Sequence, residues 1–219
     1  MDILSVNVGL PREVAWKGII VETGIFKDPV AGEVKVSQLN LAGDRQADLT
    51  VHGGAEKAVY AYPSENYEYW RHELPKVPFT WGYFGENLTT TGLAENTLHI
   101  GDQLKIGTAT LMVTQPRLPC YKLALRFDRD DIIKRFLLSR RSGFYFSVLE
   151  EGTVSAGAPI EILHRDPLAV SVEDVMNLFL GIADDQRLLQ RAMQLDALPE
   201  NWKYEFEARA HARRPKHSA

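Results

Sequence analysis

The single cysteine of this chain stands in the segment TQPRLPCYK. Pro116 and Pro119 fix two backbone torsions there and press Gln115 and Leu118 toward extended conformations. Cys120 is therefore expected on a stiff, non-helical stretch, with Arg117 and Lys122 close by and Arg126 a few residues on. Positive charge at that distance favours the thiolate, the form that attacks electrophiles and binds soft metals. The plain alternative is a buried structural cysteine, and the residues themselves leave both readings open.

Two glycine-containing segments precede it. In VHGGAEKAVYAYP, Gly53 and Gly54 let the backbone approach a ligand or adopt positive φ, His52 offers a neutral donor or acceptor, and Lys57 a cation. Such a loop suits a phosphate, and it equally suits an ordinary hairpin turn. In FGENLTTTGL, Glu86 and Asn87 follow Gly85 as a polar pair that either faces a pocket or caps a turn. No G-x-G-x-x-G follows a strand and no G-x-x-x-x-G-K-[ST] occurs. The chain thus carries no visible dinucleotide or nucleotide fingerprint, and electrons, if it uses them, must arrive from elsewhere.

The elements that would position these groups read as short strands broken by Gly, Pro, Asn and Asp turns from Ile3 to about Leu163: KGIIVETGI, GEVKVSQL, NTLHIGD, QLKIG and ATLMVTQ. That pattern predicts a mainly β domain over 1–165, a barrel or sandwich of largely antiparallel strands. Two helices interrupt it: SENYEYWRHEL, with Ser64 as its expected N-cap, and DRDDIIKRFLLSRR, acidic at its start and basic at its end. After Arg165-Asp166-Pro167 the texture changes to three short helices beginning near Ser171, Asp184 and Pro199, a small helical domain over 166–219. Ser171 with Asp174 forms a capping box, and Val172, Val175, Met176 and Phe179 make one apolar face.

Composition limits the partners. With 219 residues, 45% of them apolar, the chain can bury one substantial core and an appendage. Its formal charge of -4 gives no general attraction to nucleic acid or an anionic membrane, so neither is an expected partner. One cysteine cannot form an internal disulfide or a four-thiolate metal site, which points to a reducing compartment. The acidic N-terminus is unlike a signal peptide, and no run of about 18 apolar residues occurs, so a cytoplasmic location is expected.

Taken in order, GDRQADLTVHGG, KAVYAYP, FGENLTTTGL, IGDQLKIG, QPRLPCYK and GFYFSVLEEG resemble the MOSC family, named for the C-terminal domain of molybdenum cofactor sulfurases, over Lys17 to Leu163. The helical tail resembles the three-helix domain of its YiiM-like subgroup. The resemblance implies a β-barrel whose cleft holds the molybdenum cofactor, a pterin dithiolene bearing a phosphate, with Cys120 as a ligand to molybdenum. It implies an oxidoreductase that reduces N-hydroxylated compounds, such as hydroxylaminopurine-type bases, to amines. His52, Gly53, Gly54, Lys57, Asn87, Arg117 and Lys122 are then the expected cofactor contacts, and Glu86 or Asp48 the expected proton donor. A separate reductase is the expected electron source; the helical tail either packs on the barrel or on a second subunit, completing a homodimer, or docks that reductase. Two other readings use the same cleft: a carrier that holds the cofactor or its sulfur without turnover, and a metal-free thiol enzyme with Cys120 as nucleophile and His52 as base.

Overall fold

The computed structural model describes residues 1–47, 53–183 and 185–212, with side chains through Arg209. Twelve strands come first: β1 (Asp2–Val8), β2 (Arg12–Trp16), β3 (Ile19–Thr23), β4 (Asp28–Val30), β5 (Val34–Val36), β6 (Val59–Pro63), β7 (Leu88–Thr91), β8 (Gln103–Ile106), β9 (Ala109–Pro116), β10 (Phe144–Glu150), β11 (Gly152–Val154) and β12 (Ile160–His164). Three helices lie among them, α1 (Ser64–Glu73), α2 (Tyr121–Phe127) and α3 (Ile132–Ser139). Three more follow, α4 (Val172–Leu180), α5 (Gln186–Met193) and α6 (Glu200–Ala212).

Eight strands form one sheet in the order β12-β8-β9-β10-β6-β7-β1-β4, antiparallel except where β6 pairs parallel with β7. A parallel pair needs a crossover, and α1 supplies it. The expected barrel is not a continuous closed ladder. Between the two flanks of the sheet, among the described residues, only 157–160 bridge to the start of β1, through Ile3 N to Ala158 O (3.0 Å), Gly157 N to Ile3 O (2.7 Å) and Ile160 N to Met1 O (2.8 Å). Gly157 and Pro159 in this stretch break the strand that would have completed the ring.

Alternation explains which faces are buried. In β9, Ala109, Leu111 and Val113 point into the core while Thr110 and Met112 point out. The alternation then slips, because the β9–β10 register shifts between Tyr145 and Phe146 and leaves Thr114 as an extra residue. The Thr114 hydroxyl lies 2.7 Å from Glu56 O and 3.1 Å from Tyr145 O. Pro116, which has no N–H to donate, ends the strand. The bulge and the proline together turn the chain out of the sheet just before Cys120.

Two cores result. One lies inside the curled sheet and runs without a break into the tail, where Val172, Val175, Leu188, Leu195, Trp202 and Phe206 join Ile3, Val59, Leu111 and Phe146. The other is largely aromatic and sits under α1, α2 and α3: Tyr60, Tyr62, Tyr67, Trp70, Phe84, Phe127 and Phe136. The tail thus packs on the sheet, and its expected apolar face, Val172, Val175 and Met176 buried with Phe179 half-buried, is the packed face. The capping box forms: the Asp174 amide donates to Ser171 Oγ at 3.0 Å and the Ser171 amide to the Asp174 carboxylate at 3.0 Å.

Local details differ from the sequence reading. Pro63, not Ser64, occupies the N-cap of α1. The helix expected from Asp128 begins only at Ile132, because Asp128 takes a left-handed conformation (φ 49°) that ends the unforeseen helix α2. The expected start of the second tail helix, Asp184, lies outside the described residues; the Asp185 carboxylate caps α5 by accepting from the Arg187 and Leu188 amides.

Candidate functional site

Cys120 is the N-cap residue of α2, extended itself (φ -124°, ψ 176°) but one step before a helix. It is half-buried and not in a disulfide. Its side chain lines an open cleft. Five cations face that cleft: Lys27, Arg45, Lys57, Arg117 and Lys122. No carboxylate lines it among the described residues. Charges of one sign around a cavity with apolar walls focus their field and attract an anion.

Each cation is held by a different part of the fold. Arg117 is buried; its guanidinium donates to Phe84 O at 2.6 Å and to the Tyr60 hydroxyl at 3.4 Å, and lies over the Tyr60 ring at 4.8 Å. Burial opposes its charge, but the phenol oxygens of Tyr60 and Tyr145 and the Cys120 sulfur facing it keep it firmly protonated. Lys27 is buried against Asp44; burial lowers its pKa, and the paired carboxylate works against that shift. Asp44 also accepts from the Asn87 amide at 2.9 Å and from the Gly9 amide at 3.0 Å. Arg45 reaches the cleft because Gly24 lets its loop close: a Cβ there would stand 2.5 Å from Arg45 O.

Lys57 ends a single 3-10 turn, Ala55–Lys57, whose first cap is Gly54 at φ 99°, ψ 166°, a conformation closed to other residues. Gly53 and Gly54 themselves are not among the cleft's lining residues; Gly54 sets the turn, and the turn presents Lys57. Partial burial lowers the Lys57 pKa, with Glu56 opposing. Across the cleft, Gly85 (φ 82°) packs so tightly that a Cβ would stand 2.9 Å from Ile25 Cγ1. Asn87 faces the cleft and is fixed at both ends, its carbonyl accepting from the Tyr60 amide at 3.1 Å.

The structure therefore brings together Cys120, Arg117, Lys122, Lys57 and Asn87. It does not bring Glu86 with them. Glu86 is fully buried beneath the cleft, accepting from Tyr67 OH (2.5 Å), the Gly82 amide (2.8 Å), Thr89 Oγ1 (2.9 Å) and the Phe84 amide (3.1 Å). Burial pushes its pKa up while these donors pull it down. With its oxygens occupied inside the protein, it holds the 82–87 loop rather than offering a proton to the cleft. Asp48 and His52 lie outside the described residues. Arg126 stacks on Tyr83 and Phe26 (4.0 and 4.7 Å) and does not line the cleft.

Sequence reading passed over Lys27, Arg45, Gln46, Tyr60 and Tyr145. Arg45 and Gln46 stand in the GDRQAD run that also holds Asp48, so a signal existed for them. Tyr60 and Tyr145 meet as a cross-strand pair of β6 and β10, ring centroids 5.1 Å apart, visible only once that register is known. Lys27 had no local signal.

Among the described residues no three His, Cys, Asp or Glu side chains cluster to hold a metal ion. The donor set is one sulfur amid cations, which fits a metal that carries its other ligands on an anionic organic group. Residues 48–161 match the MOSC domain. The chain belongs to the MOSC domain family. Residues 170–210 of this MOSC protein also match the YiiM-like, 3-alpha helix domain. It is 40% identical to YflK of Bacillus subtilis over 94% of this chain and 92% of that one. The crystal structure of YiiM from Geobacillus stearothermophilus superposes with a TM-score of 0.79 at 35% identity, covering 95% of this chain and 98% of that one. A protein named reductase from Gibberella moniliformis is 34% identical over 88% of this chain, which spans 35% of that longer protein. No helix among the described residues is long and apolar enough to cross a membrane.

Proposed function

We propose that the cleft binds the molybdenum cofactor and that the protein is an oxidoreductase converting N-hydroxylated compounds, of the hydroxylaminopurine kind, to amines. The observation that carries this is a half-buried thiol on the wall of a five-cation cleft with no described carboxylate. A pterin dithiolene with a phosphate is anionic and rich in sulfur, and such a cleft complements both properties. Membership of the MOSC family and likeness to a protein named reductase support the same reading.

In this reading Cys120 is the protein's ligand to the metal, and Arg45, Lys57, Lys122 and Asn87 contact the organic part. When bound, the group supplies a metal centre able to exchange two electrons with the substrate. The overall change is R–NHOH plus two electrons and two protons to R–NH2 plus water. Arg117, locked by Phe84 O and Tyr60, keeps fixed positive charge behind the Cys120 sulfur without donating a proton itself. Lys57 Nζ, whose lowered pKa makes it a better proton donor than an ordinary lysine, holds a proton at the rim of the cleft. Tyr145 and Tyr60, their pKa values raised by burial, stay neutral and wall the site from water. Electrons come from a separate reductase.

The test is turnover by the purified, molybdenum-loaded protein supplied with a chemical reductant and an N-hydroxylated purine. The expected result is formation of the amine. Full metal loading without amine formation would leave the carrier reading in its place.

A further inference from the structure

Cys120 lines two cavities. Besides the cationic cleft, a second cavity adjoins it and shares Lys57, Cys120 and Tyr145 with the first. Its remaining walls are Gln115, Pro116, Leu118 and Pro119 from the cysteine segment, and Asn201 and Trp202 from α6. We propose that this second cavity seats the substrate, an uncharged planar nitrogen heterocycle, and that Asn201 of the helical tail is a specificity-determining residue. The inference deepens the proposed function and rests on its reading of Cys120 as the ligand to the reactive centre.

The chemistry of the two cavities differs in a way that assigns them. The first is lined by five cations, the second, among described residues, by Lys57 alone. A phosphate-bearing cofactor belongs in the first. In the second, proline rings, Leu118, Tyr145 and the Trp202 indole offer apolar surface, and two side-chain amides, Gln115 and Asn201, stand among the polar groups. Flat apolar walls with a few amides suit a flat, neutral ring with a polar edge.

The amides are not equivalent. Gln115 is committed inside the protein: its Nε2 donates to Glu56 O at 3.3 Å and its Oε1 accepts from Trp202 Nε1 at 2.9 Å. That bond joins β9 to α6, and Trp202 is fixed further by an edge contact to Phe179 and a tilted contact to Phe206 (centroids 5.3 and 6.1 Å). The tail is thus a rigid wall here. Asn201, one residue earlier, is exposed, and its side chain makes no hydrogen bond to described residues. A carboxamide presents a donor and an acceptor side by side, the arrangement that reads an exocyclic amine next to a ring nitrogen.

The experiment is calorimetric titration of adenine, the planar aminated probe, onto the purified full-length protein, with molybdenum content and melting temperature measured on the same samples. Wild type is expected to bind saturably. Asn201→Ala is expected to weaken binding about tenfold, and Leu118→Trp, which fills the cavity from an exposed position, to abolish it. Both variants should keep wild-type melting and metal content. On the loaded enzyme, Asn201→Ala should raise KM for an N-hydroxylated purine and leave KM for hydroxylamine unchanged. Absence of adenine binding to wild type, or binding that both variants leave intact, would overturn the proposal. Protein without molybdenum that still binds adenine with this sensitivity would uphold the pocket and sink the cofactor reading instead.

Discussion

Glu86→Gln separates a catalytic carboxylate from a structural one. The carboxylate accepts three bonds at Oε1, from Tyr67 OH, the Gly82 amide and Thr89 Oγ1, and one at Oε2 from the Phe84 amide. Glutamine keeps the shape but has one oxygen and one NH2. With its oxygen in the Oε1 position, the NH2 confronts the Phe84 N–H, donor against donor, and a buried N–H is left unpaired at about 1–3 kcal/mol. The three remaining bonds lose their ionic partner and about half their strength. Relief from burying a charge, the cause of the raised Glu86 pKa, offsets part of this. A net loss of about 3 kcal/mol is expected, which lowers the melting temperature of a chain this size by about 6–12 °C. Scanning calorimetry reads it, and turnover below the melting transition should stay within about tenfold of wild type. A Glu86→Gln protein with wild-type melting and a loss of kcat of about 10²–10⁴ would refute the structural account and restore Glu86 as the proton donor.

Other outcomes follow from the same geometry. Lys57 is a base whose folded pKa is lowered, so its charge is lost below the ordinary lysine midpoint; inorganic phosphate binding to the cleft should weaken earlier on the alkaline side than for Lys57→Arg, and identical pH profiles would contradict this. Gly54→Ala meets no neighbour but cannot take φ 99°, ψ 166° without strain; a loss of about 1–3 kcal/mol in denaturant unfolding is expected, whereas an unchanged midpoint would mean that the turn is not as described. Trp202→Phe removes the donor to Gln115 Oε1 and should cost about 1–2 kcal/mol while loosening α6 from β9, visible as faster hydrogen exchange in the tail. Deleting residues after Arg165 strips Val172, Val175, Leu195 and Phe206 from a shared core; the remainder should aggregate or unfold, and a well-folded remainder would show the tail to be separable.

How far the sequence reached depends on whether a signal was local. The capping box of α4 and its apolar face are written in adjacent residues, and they form as read. The helix after Cys120 was hidden because YKLALRF follows two prolines and spans only seven residues, too short for a periodic pattern to stand out. The barrel was legible as a class from alternating strands, while the break around Gly157 and Pro159 depends on which strands become neighbours. In the site, Cys120, Arg117 and Lys122 were found because the proline-bracketed segment places them together. Lys27 enters the cleft from the loop between β3 and β4 and Tyr145 from β10, and neither had a sequence neighbour to mark it. Glu86 was read as cleft-facing from its position beside Asn87; the two point opposite ways, Asn87 into the cleft and Glu86 into the polar floor beneath it. Residues 81–87 form a turn and bend ahead of β7, so adjacent side chains there leave the backbone in different directions.

The central claim is that the Cys120 sulfur holds molybdenum. Elemental analysis of freshly purified wild type and Cys120→Ser, grown with molybdate and matched for melting temperature, tests it most directly. The account predicts molybdenum in the wild type and its loss from a folded Cys120→Ser protein. Retention of molybdenum by Cys120→Ser at the wild-type level would contradict it.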